Sequence, residues 1–405
     1  MLMLLQTVVM GYWIALFCLL LTMLSLLVIN LLTFPRLQEI CDELGTTLPA
    51  LSILVPCRNE EHCIEACVRS LVAQSYQRLE VIILDDCSSD ATRAIVQRVI
   101  DEIAPAQKGR LRLVQGAALQ AGWVGKNFAC HQLAQHARSD YLLFTDADTV
   151  HAPGTAKAVI ACMQQLGVKL LTAQPEFALG SIGECLVVPL LNFTIMTLLP
   201  VALVLTRPEP HLATGNGQLL CFHRSAYEKV GGHASVKGNI LEDVLLASAV
   251  KASGDRIAFV DALEFVRCRM YRSFAGVWSV FTKNLFALYN YSLPFALSAL
   301  LLNLALFIVP PLLAIVALLL RLSPTVVALG ILAYALVVLM RVLLTVRFTQ
   351  REQGLPLLLF LCLVCLLHPL SIGLECLILL NSIRCYYRKS GVSWKGRYYK
   401  RQNDS

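Results

Sequence analysis

The sequence predicts an α/β domain with a mainly parallel sheet, held between membrane helices at its N- and C-terminal sides. Three observations carry this. Residues 1–34 hold no charged side chain, and residues 292–380 hold only six: Arg321, Arg341, Arg347, Arg351, Glu352 and Glu375. Between these stretches, short apolar runs alternate with helix-like segments, the pattern of a parallel sheet covered on both faces. Acidic residues then close several of the apolar runs, at the strand ends where such sheets bind ligands.

The composition agrees. Of 405 residues, 57% are hydrophobic and 15% charged, with mean hydropathy +0.65. A soluble domain carries roughly 45–50% apolar and about 25% charged residues. A wholly soluble chain, a disordered one, a collagen-like fibre and a disulfide-stapled secreted domain are therefore excluded. The formal charge of +7 is concentrated in one tail, where Arg384, Arg388, Lys389, Lys395, Arg397, Lys400 and Arg401 precede any acid. A basic, aromatic tail directly after an apolar segment reads as a binder of anionic lipid head groups on the cytoplasmic face, not of nucleic acid. The 15 cysteines are scattered, several in apolar segments (Cys18, Cys362, Cys376). They suit small buried hydrophobes in a reducing compartment. Cys362-x-x-Cys365-x-x-His368 has helical spacing in membrane-like surroundings and does not read as a metal site.

Taken in order, the apolar run 10–32 exceeds the roughly 20 residues that span a bilayer. It has no Lys or Arg before it and no clear small-residue cleavage site, so 1–34 reads as an anchor and not as a cleaved signal. Arg36 places the following segment inside the cell. Residues 35–290 form the globular domain. Strands are expected at 51–56, 80–84, 111–114, 141–145 and 169–173, with helices at 61–73 and 91–103. Ser89 or Asp90 caps the second helix, whose Ile95, Val99 and Ile103 recur at helical spacing. The apolar run 186–205, holding Pro189 and Pro200, reads as an interfacial helix. Within 291–383 three further segments are apolar enough to span: 295–320, 324–346 and 355–380. Three full crossings would put the basic tail 384–405 outside, against the positive-inside rule. The segment 355–380, broken by Pro369, is therefore expected to be re-entrant or interfacial.

Three acidic pairs carry the chemistry: Asp85-Asp86, Asp146-Ala147-Asp148, and Glu242-Asp243 after a glycine-rich stretch. Singly, a strand-end acid is more often a turn or a cap. In the Asp-x-Asp pair, residues i and i+2 face one side of a strand and can present both acids to one hard cation. Mg²⁺ takes one or two carboxylates and fills its other positions with phosphate oxygens and water. That suits a nucleotide-diphosphate ligand.

Val55-Pro56-Cys57-Arg58-Asn59-Glu60-Glu61, Leu84-Asp85-Asp86-Cys87-Ser88-Ser89-Asp90, Asp146-Ala147-Asp148 and Glu242-Asp243 occur in an order and spacing that resemble membrane-bound family 2 glycosyltransferases. The resemblance implies a GT-A nucleotide-sugar-binding domain. Gly122-Trp123-Val124-Gly125-Lys126 and Arg269-Met270-Tyr271-Arg272-Ser273, with Lys283-Asn284-Leu285-Phe286, look like a narrower group. It includes bacterial carotenoid (diaponeurosporenoate or chlorobactene) and hopanoid-associated glycosyltransferases. By this resemblance Pro56, Asn59 and Glu60 line the nucleotide pocket, and Asp85 or Asp86 reads the uracil edge. Asp146 and Asp148 hold the nucleotide and Mg²⁺ or Mn²⁺. Asp243 is the general base, with Glu242 beside it. Arg269 and Arg272 stand at a (Q/R)xxRW position, where Ser273 replaces the tryptophan.

Sugar transfer needs the charge of the leaving group neutralised, which a bridging cation does. It also needs a base near the acceptor hydroxyl. One placed carboxylate suffices for displacement with inversion, unlike the two of a retaining glycosidase. Lys126 is either a diphosphate contact or a solvated loop lysine. Gly215-Asn216-Gly217-Gln218 is either an acceptor-side turn, through Gly217 and Gln218, or a structural hairpin. His151 and His233 read as satisfied surface histidines. The expected protein is an inner-membrane, multi-pass enzyme with its catalytic domain in the cytoplasm. It moves a hexose from a nucleotide sugar, UDP-glucose by the resemblance, to a lipid-soluble acceptor such as a carotenoid or hopanoid. The competing readings are a processive polysaccharide synthase and a non-enzymatic transporter or receptor with a degenerate nucleotide-binding domain.

Overall fold

The computed structural model describes residues 2–38, 48–321, 323–349, 354–388, 392–395 and 397–399. Of the charged residues singled out above, Arg351, Glu352, Lys389, Lys400 and Arg401 lie outside the described residues. The chain forms two compact units. One comprises Phe34–Ala178, Val201–Met270 and the segment from Ser393; the other comprises Met1–Thr33, Leu179–Pro200 and Tyr271–Val392.

The first unit is the α/β one. Its strands are β1 (Leu51–Cys57), β2 (Leu79–Asp85), β3 (Leu111–Gln115), β4 (Tyr141–Phe144), β5 (Thr149–His151), β6 (Leu170–Gln174), β7 (Glu176–Phe177), β8 (Leu220–His223), β9 (Ile257–Asp261) and β10 (Val266–Cys268). Seven make one sheet, in the order β3-β2-β1-β4-β8-β6-β9. β1 pairs in parallel with β2 and β4, β2 with β3, and β6 with β9; β8 runs antiparallel between β4 and β6. The sheet is thus mainly parallel, as the sequence predicts. β1, β2, β6 and β9 read as near-continuous apolar runs because both their faces are covered. Ile53, Val55, Val81, Ile83, Val96, Val99 and Leu171 meet in the core, each contributing about 1.5–3 kcal/mol by burial.

The helices expected at 61–73 and 91–103 are Ile64–Val72 and Thr92–Glu102. Ala91 occupies the cap position of the second and lends no side chain, but Asp90 Oδ1 accepts from Thr92 N at 3.0 Å, so the capping acid stands one residue earlier. β8, β9 and a small sheet of order β5-β10-β7 were not expected. Strands of two to five residues leave little readable periodicity. After the first helix the chain joins the sheet edge, with Leu37 N donating to Asp261 O and Asp261 N to Pro35 O, both at 2.8 Å.

The second unit is helical. Thr7–Thr33, Leu293–Leu319 and Pro324–Phe348 are long and apolar enough to cross a membrane. Within Leu293–Leu319 the segment Leu304–Ile308 winds as a π-helix. The wider turn lies immediately before Pro310-Pro311, which lack the N–H groups of a regular ladder. Leu355–Cys365 and His368–Tyr387 form a pair bent by 70°. The break falls just ahead of Pro369, which is tolerated in the first turn of the second helix. The 186–205 run is not one helix. It is divided between Ile182–Val187 and Pro189–Leu198, joined through helical Val188 as the apolar helix Ile182–Leu198, and Val201–Thr206, which follows Pro200 in the α/β unit. Asn30, fully buried, donates to the carbonyls of Met196 at 2.9 Å and Leu199 at 2.7 Å, satisfying the last turn of the middle helix.

Candidate active site

Topology alone assembles one rim. β1, β2 and β4 are parallel, so their carboxyl ends share an edge of the sheet. β8 is antiparallel and in register Phe144↔Leu220, so its amino end, preceded by Gly217-Gln218, lies at that same edge. The residues after Cys57, the Asp85-Asp86 pair, Asp146 to Asp148 and the glycine turn are thereby neighbours. The helix Glu242–Ala252 brings Glu242 and Asp243 in its first turn, where the helix dipole favours carboxylates.

Lys126 binds these pieces together. It sits in the first turn of the helix Gly125–His136. That end is pinned by Val124 N donating to Lys237 O at 2.7 Å and by Asn127 Nδ2 donating to the carbonyls of Val236 and Asn239 at 2.8 and 2.9 Å. Lys126 Nζ lies 2.7 Å from Asp146 Oδ1 and 3.1 Å from Glu242 Oε1. It is a helix residue with two carboxylate partners, not a solvated loop lysine. Burial works against its charge, but Asp146 and then Glu242 outweigh that and hold the ammonium well above the usual lysine range.

Asp243 is held from its backbone side. Its Oδ2 accepts from Gly217 N at 3.0 Å and its Oδ1 from Val244 N at 2.8 Å. Burial, followed by the charge of Glu242, pushes this carboxyl up to about 7. The glycines of the turn allow close approach. A Cβ on Gly215 would lie 2.4 Å from the backbone carbonyl of Asp243, and one on Gly217 would lie 2.6 Å from Lys126 Nζ. The Gln218 carbonyl accepts from Thr145 Oγ1 at 2.7 Å, tying the turn to the end of β4. The stretch read as either turn or hairpin is thus the entry to β8 and also a wall of the acidic cluster.

Asp148 is fixed by the small sheet. Its Oδ1 accepts from Cys268 Sγ at 3.4 Å, and its carbonyl accepts from Arg269 N at 3.3 Å. Burial and then the neighbouring Asp146 raise its carboxyl to about 6. Arg269 thus follows β10 beside the Asp-x-Asp pair. Arg272 belongs to the helical unit, where Ser273 caps the helix Phe274–Leu288 by accepting from Gly276 N at 3.2 Å.

The loops after β1 and β2 interlock. Asp85 and Asp86 are both buried. Asp85 Oδ1 accepts from Ser88 N at 3.2 Å, and Asp86 N donates to Cys57 O at 2.8 Å. Asn59 takes φ 53 and Cys87 φ 54. The strained Asn59 donates its N–H to Ser88 Oγ at 3.0 Å and accepts from Ser89 N at 2.8 Å on its Oδ1. Glu60 N donates to Thr92 Oγ1 at 2.7 Å. Arg58 Nη1 donates to the carbonyls of Asp86 and Cys87 at 2.6 and 2.8 Å. Half-buried Pro56 lies on β1 just below.

Two expectations are corrected. His151 and His233 are buried, not on the surface. Their rings meet Thr145 Oγ1 at 2.9 Å and Tyr227 Oη at 2.8 Å, and burial lowers both, His151 to about 4. Sequence reasoning also missed Lys395, which meets Glu60. The sequence reads the tail as a lipid binder alone, and a separation of 335 positions conceals such a pair. Among the described residues, no group of three or more His, Cys, Asp or Glu is arranged to hold a metal. The Asp146/Asp148 pair nonetheless fits Mg²⁺ or Mn²⁺, which need only one or two carboxylates when phosphate and water complete the shell. A cation there would offset the burial and the Asp146 charge that raise the Asp148 carboxyl.

Residues 52–194 match the model for glycosyl transferase family 2. The chain is 26% identical over 361 residues to the 4,4'-diaponeurosporenoate glycosyltransferase of Staphylococcus aureus, covering 86% of this chain and 88% of that one. Its counterpart of the same name from Staphylococcus haemolyticus is 29% identical over 266 residues, covering 63% and 64%. Among solved structures, the mannosyltransferase PcManGT from Pyrobaculum calidifontis, in complex with GDP-Man and Mn²⁺, is 17% identical with a TM-score of 0.49, covering 89% of this chain and 98% of that one. Staphylococcus aureus TarS 1-349 in complex with UDP-GlcNAc is 14% identical with a TM-score of 0.41, covering 88% and 97%.

Proposed function

From a chain that carries a family 2 glycosyltransferase domain of GT-A-like α/β fold, and that transfers a glycosyl group from a nucleotide sugar to an acceptor, we propose a specific reaction. A hexose passes, with inversion, from UDP-glucose to a hydroxyl or carboxylate of a lipid-soluble acceptor of the carotenoid or hopanoid class. The observation that carries this reading is the convergence of two separate acidic motifs, Asp146-Ala147-Asp148 and Glu242-Asp243, through Lys126 and Gly217 at the rim where β2 ends in Asp85.

In this reading Asp85 or Asp86 reads the base, while Pro56, Asn59 and Glu60 shape the nucleotide pocket. Arg269, at the rim, and Arg272 contact donor or acceptor. Asp146 and Asp148 would hold Mg²⁺ or Mn²⁺, which when bound neutralises charge on the departing diphosphate. Lys126 adds a fixed positive charge beside them. Asp243 takes the proton of an acceptor hydroxyl as its oxygen attacks the anomeric carbon from the face opposite the leaving group. The bond from that carbon to the diphosphate oxygen breaks, and the nucleoside diphosphate leaves. Gly217 and Gln218 form the acceptor-side wall, and Glu242 keeps Lys126 in place.

The apolar helices and the named activity of the relatives support a membrane-dissolved acceptor. We place the enzyme in the inner membrane with its catalytic unit in the cytoplasm, where nucleotide sugars are made, and its basic tail against anionic lipids. Mass spectrometry of lipid extracts from cells with and without the gene tests the proposal. The expected result is loss of one lipid glycoside, which identifies sugar and aglycone together. Identical glycolipid profiles would sink it.

A further inference from the structure

The rim is crowded with negative charge. Glu60, Asp85, Asp86, Asp146, Asp148, Glu242 and Asp243 gather there, while Lys126 is engaged by two of them. A nucleoside diphosphate brings two more negative charges to the same place. An anionic donor of that kind needs counter-charge beyond the Lys126 ammonium.

The C-terminal segment supplies a cation. Val392–Trp394 and Arg397–Tyr399 pair as a two-stranded hairpin, and Lys395 at its turn takes φ 47. Its Nζ pairs with Glu60 Oε1, and Arg58 Nε donates to its carbonyl at 3.1 Å. Arg58 is the side chain whose Nη1 bridges to the carbonyls of Asp86 and Cys87. The hairpin turn is therefore clamped, by side chain and by backbone, to the two loops that shape the nucleotide pocket. Lys395 and Glu60 keep only 21% and 20% of their side-chain surface exposed, so this is a shielded contact. Burial pushes the Lys395 ammonium down to about 8, Cys57 opposing that and Arg58 adding to it. The ammonium paired with Glu60 thus stands at the loops of the nucleotide pocket, where a phosphate group could share it as a charge-assisted acceptor.

We propose that Lys395 is a donor-binding residue: the C-terminal hairpin forms one wall of the nucleotide pocket and delivers an ammonium to a phosphate of the nucleoside diphosphate. This rests on the reaction proposed above and adds to it a residue from outside the family 2 domain. The tail then has a task at the donor site in addition to the membrane.

Equilibrium binding of UDP, GDP and uridine to the purified full chain with Mn²⁺ tests this. Lys395→Ala is expected to weaken binding of the tighter nucleoside diphosphate by about ten- to hundredfold, the range for a lost hydrogen bond to a charged group. Lys395→Arg keeps the charge and is expected to stay within about threefold of wild type, since only the geometry of the contact changes. Uridine, which has no phosphate, is expected to bind Lys395→Ala and wild type alike. In transfer assays the loss appears in KM for the donor and not in kcat. Unchanged nucleoside diphosphate binding by Lys395→Ala overturns the proposal, as does tighter binding, which would make the hairpin a plug. An equal loss for uridine also overturns it, because the turn would then only support the fold. If wild type binds nucleoside diphosphate but the variants do not separate, the proposed reaction survives and this inference alone fails. If wild type binds none, both fall.

Discussion

Asp243 and Glu242 are adjacent in sequence but differently employed. Asp243 accepts two backbone N–H groups, and Glu242 accepts Lys126. Asp243→Asn keeps the shape but loses the capacity to take a proton and, because its NH2 cannot accept, one of the two backbone hydrogen bonds. It is expected to lower kcat by about 10²–10⁴-fold for a hydroxyl acceptor, with nucleotide affinity moving less than about tenfold. Glu242→Gln is expected to be milder in kcat and to show in donor binding, through Lys126. A more damaging Glu242→Gln would reverse the assignment of the base. With a carboxylate acceptor, ionised above about pH 4, no proton need be taken and Asp243→Asn costs less. The raised carboxyl of Asp243 sets a pH dependence. A base must be ionised, so the transfer rate is expected to rise with pH up to about 7 and then level off. A plateau reaching down to pH 5 would contradict this. The stability sign is opposite. The fold holds this proton more tightly than the unfolded chain does, so the contribution is present below the unfolded value of about 3.9 and is lost as pH rises through about 7. Asp148→Ala is expected to abolish transfer in a protein that still folds in the membrane. EDTA is expected to silence wild type until Mg²⁺ or Mn²⁺ is added. Full activity in EDTA removes the cation from the reaction.

At the scale of elements, the glycines mark where backbones meet. Gly215→Ala forces a Cβ against the Asp243 carbonyl. It is expected to lower kcat for a hydroxyl acceptor by displacing the turn whose Gly217 N–H holds that carboxylate. Gly330 brings the helix Pro324–Phe348 onto Val309–Leu319. A Cβ there would lie 2.6 Å from Pro310 O and 2.7 Å from Ala314 Cβ. Gly330→Leu is therefore expected to cost about 1–3 kcal/mol by overpacking, seen as a lower melting temperature in detergent. A variant that melts with wild type would show that the two helices are not in contact. These elements also show what a sequence reveals. β1, β2, β3, β4 and β6 were legible because their apolar runs end in polar turns. β8 was not, because its four residues follow a glycine turn that equally suits a free loop. The acidic pairs were legible by spacing. Their convergence on Lys126 was not, because helix Gly125–His136 has no sharp apolar stripe and its anchoring depends on Asn127 reaching the carbonyls of Val236 and Asn239.

For the whole molecule, the tail contact counts membrane crossings. Lys395 and Glu60 belong to the same unit and touch, and we propose on that ground that the chain on either side of the helices Leu293–Leu319 and Pro324–Phe348 ends on one face of the membrane. Two full crossings already return it to that face. In this proposal the bent pair Leu355–Cys365 and His368–Tyr387 leaves and comes back, because a net third crossing would carry Lys395 away from Glu60. The 70° bend ahead of Pro369 would provide the turn, and the face we propose as common is, by the positive-inside rule, the cytoplasmic one. The same proposal keeps Ile182–Leu198, shorter than the roughly 20 residues of a span, on the side it starts from, since the α/β unit precedes and follows it in the chain. A thiol introduced at position 395, in a chain cleared of its reactive native cysteines, is expected to resist a membrane-impermeant reagent on intact cells and to react once the membrane is opened. One at position 321, between the two spanning helices, is expected to react from outside. Labelling of position 395 on intact cells would make the bent pair a full crossing and would break the tail contact with it.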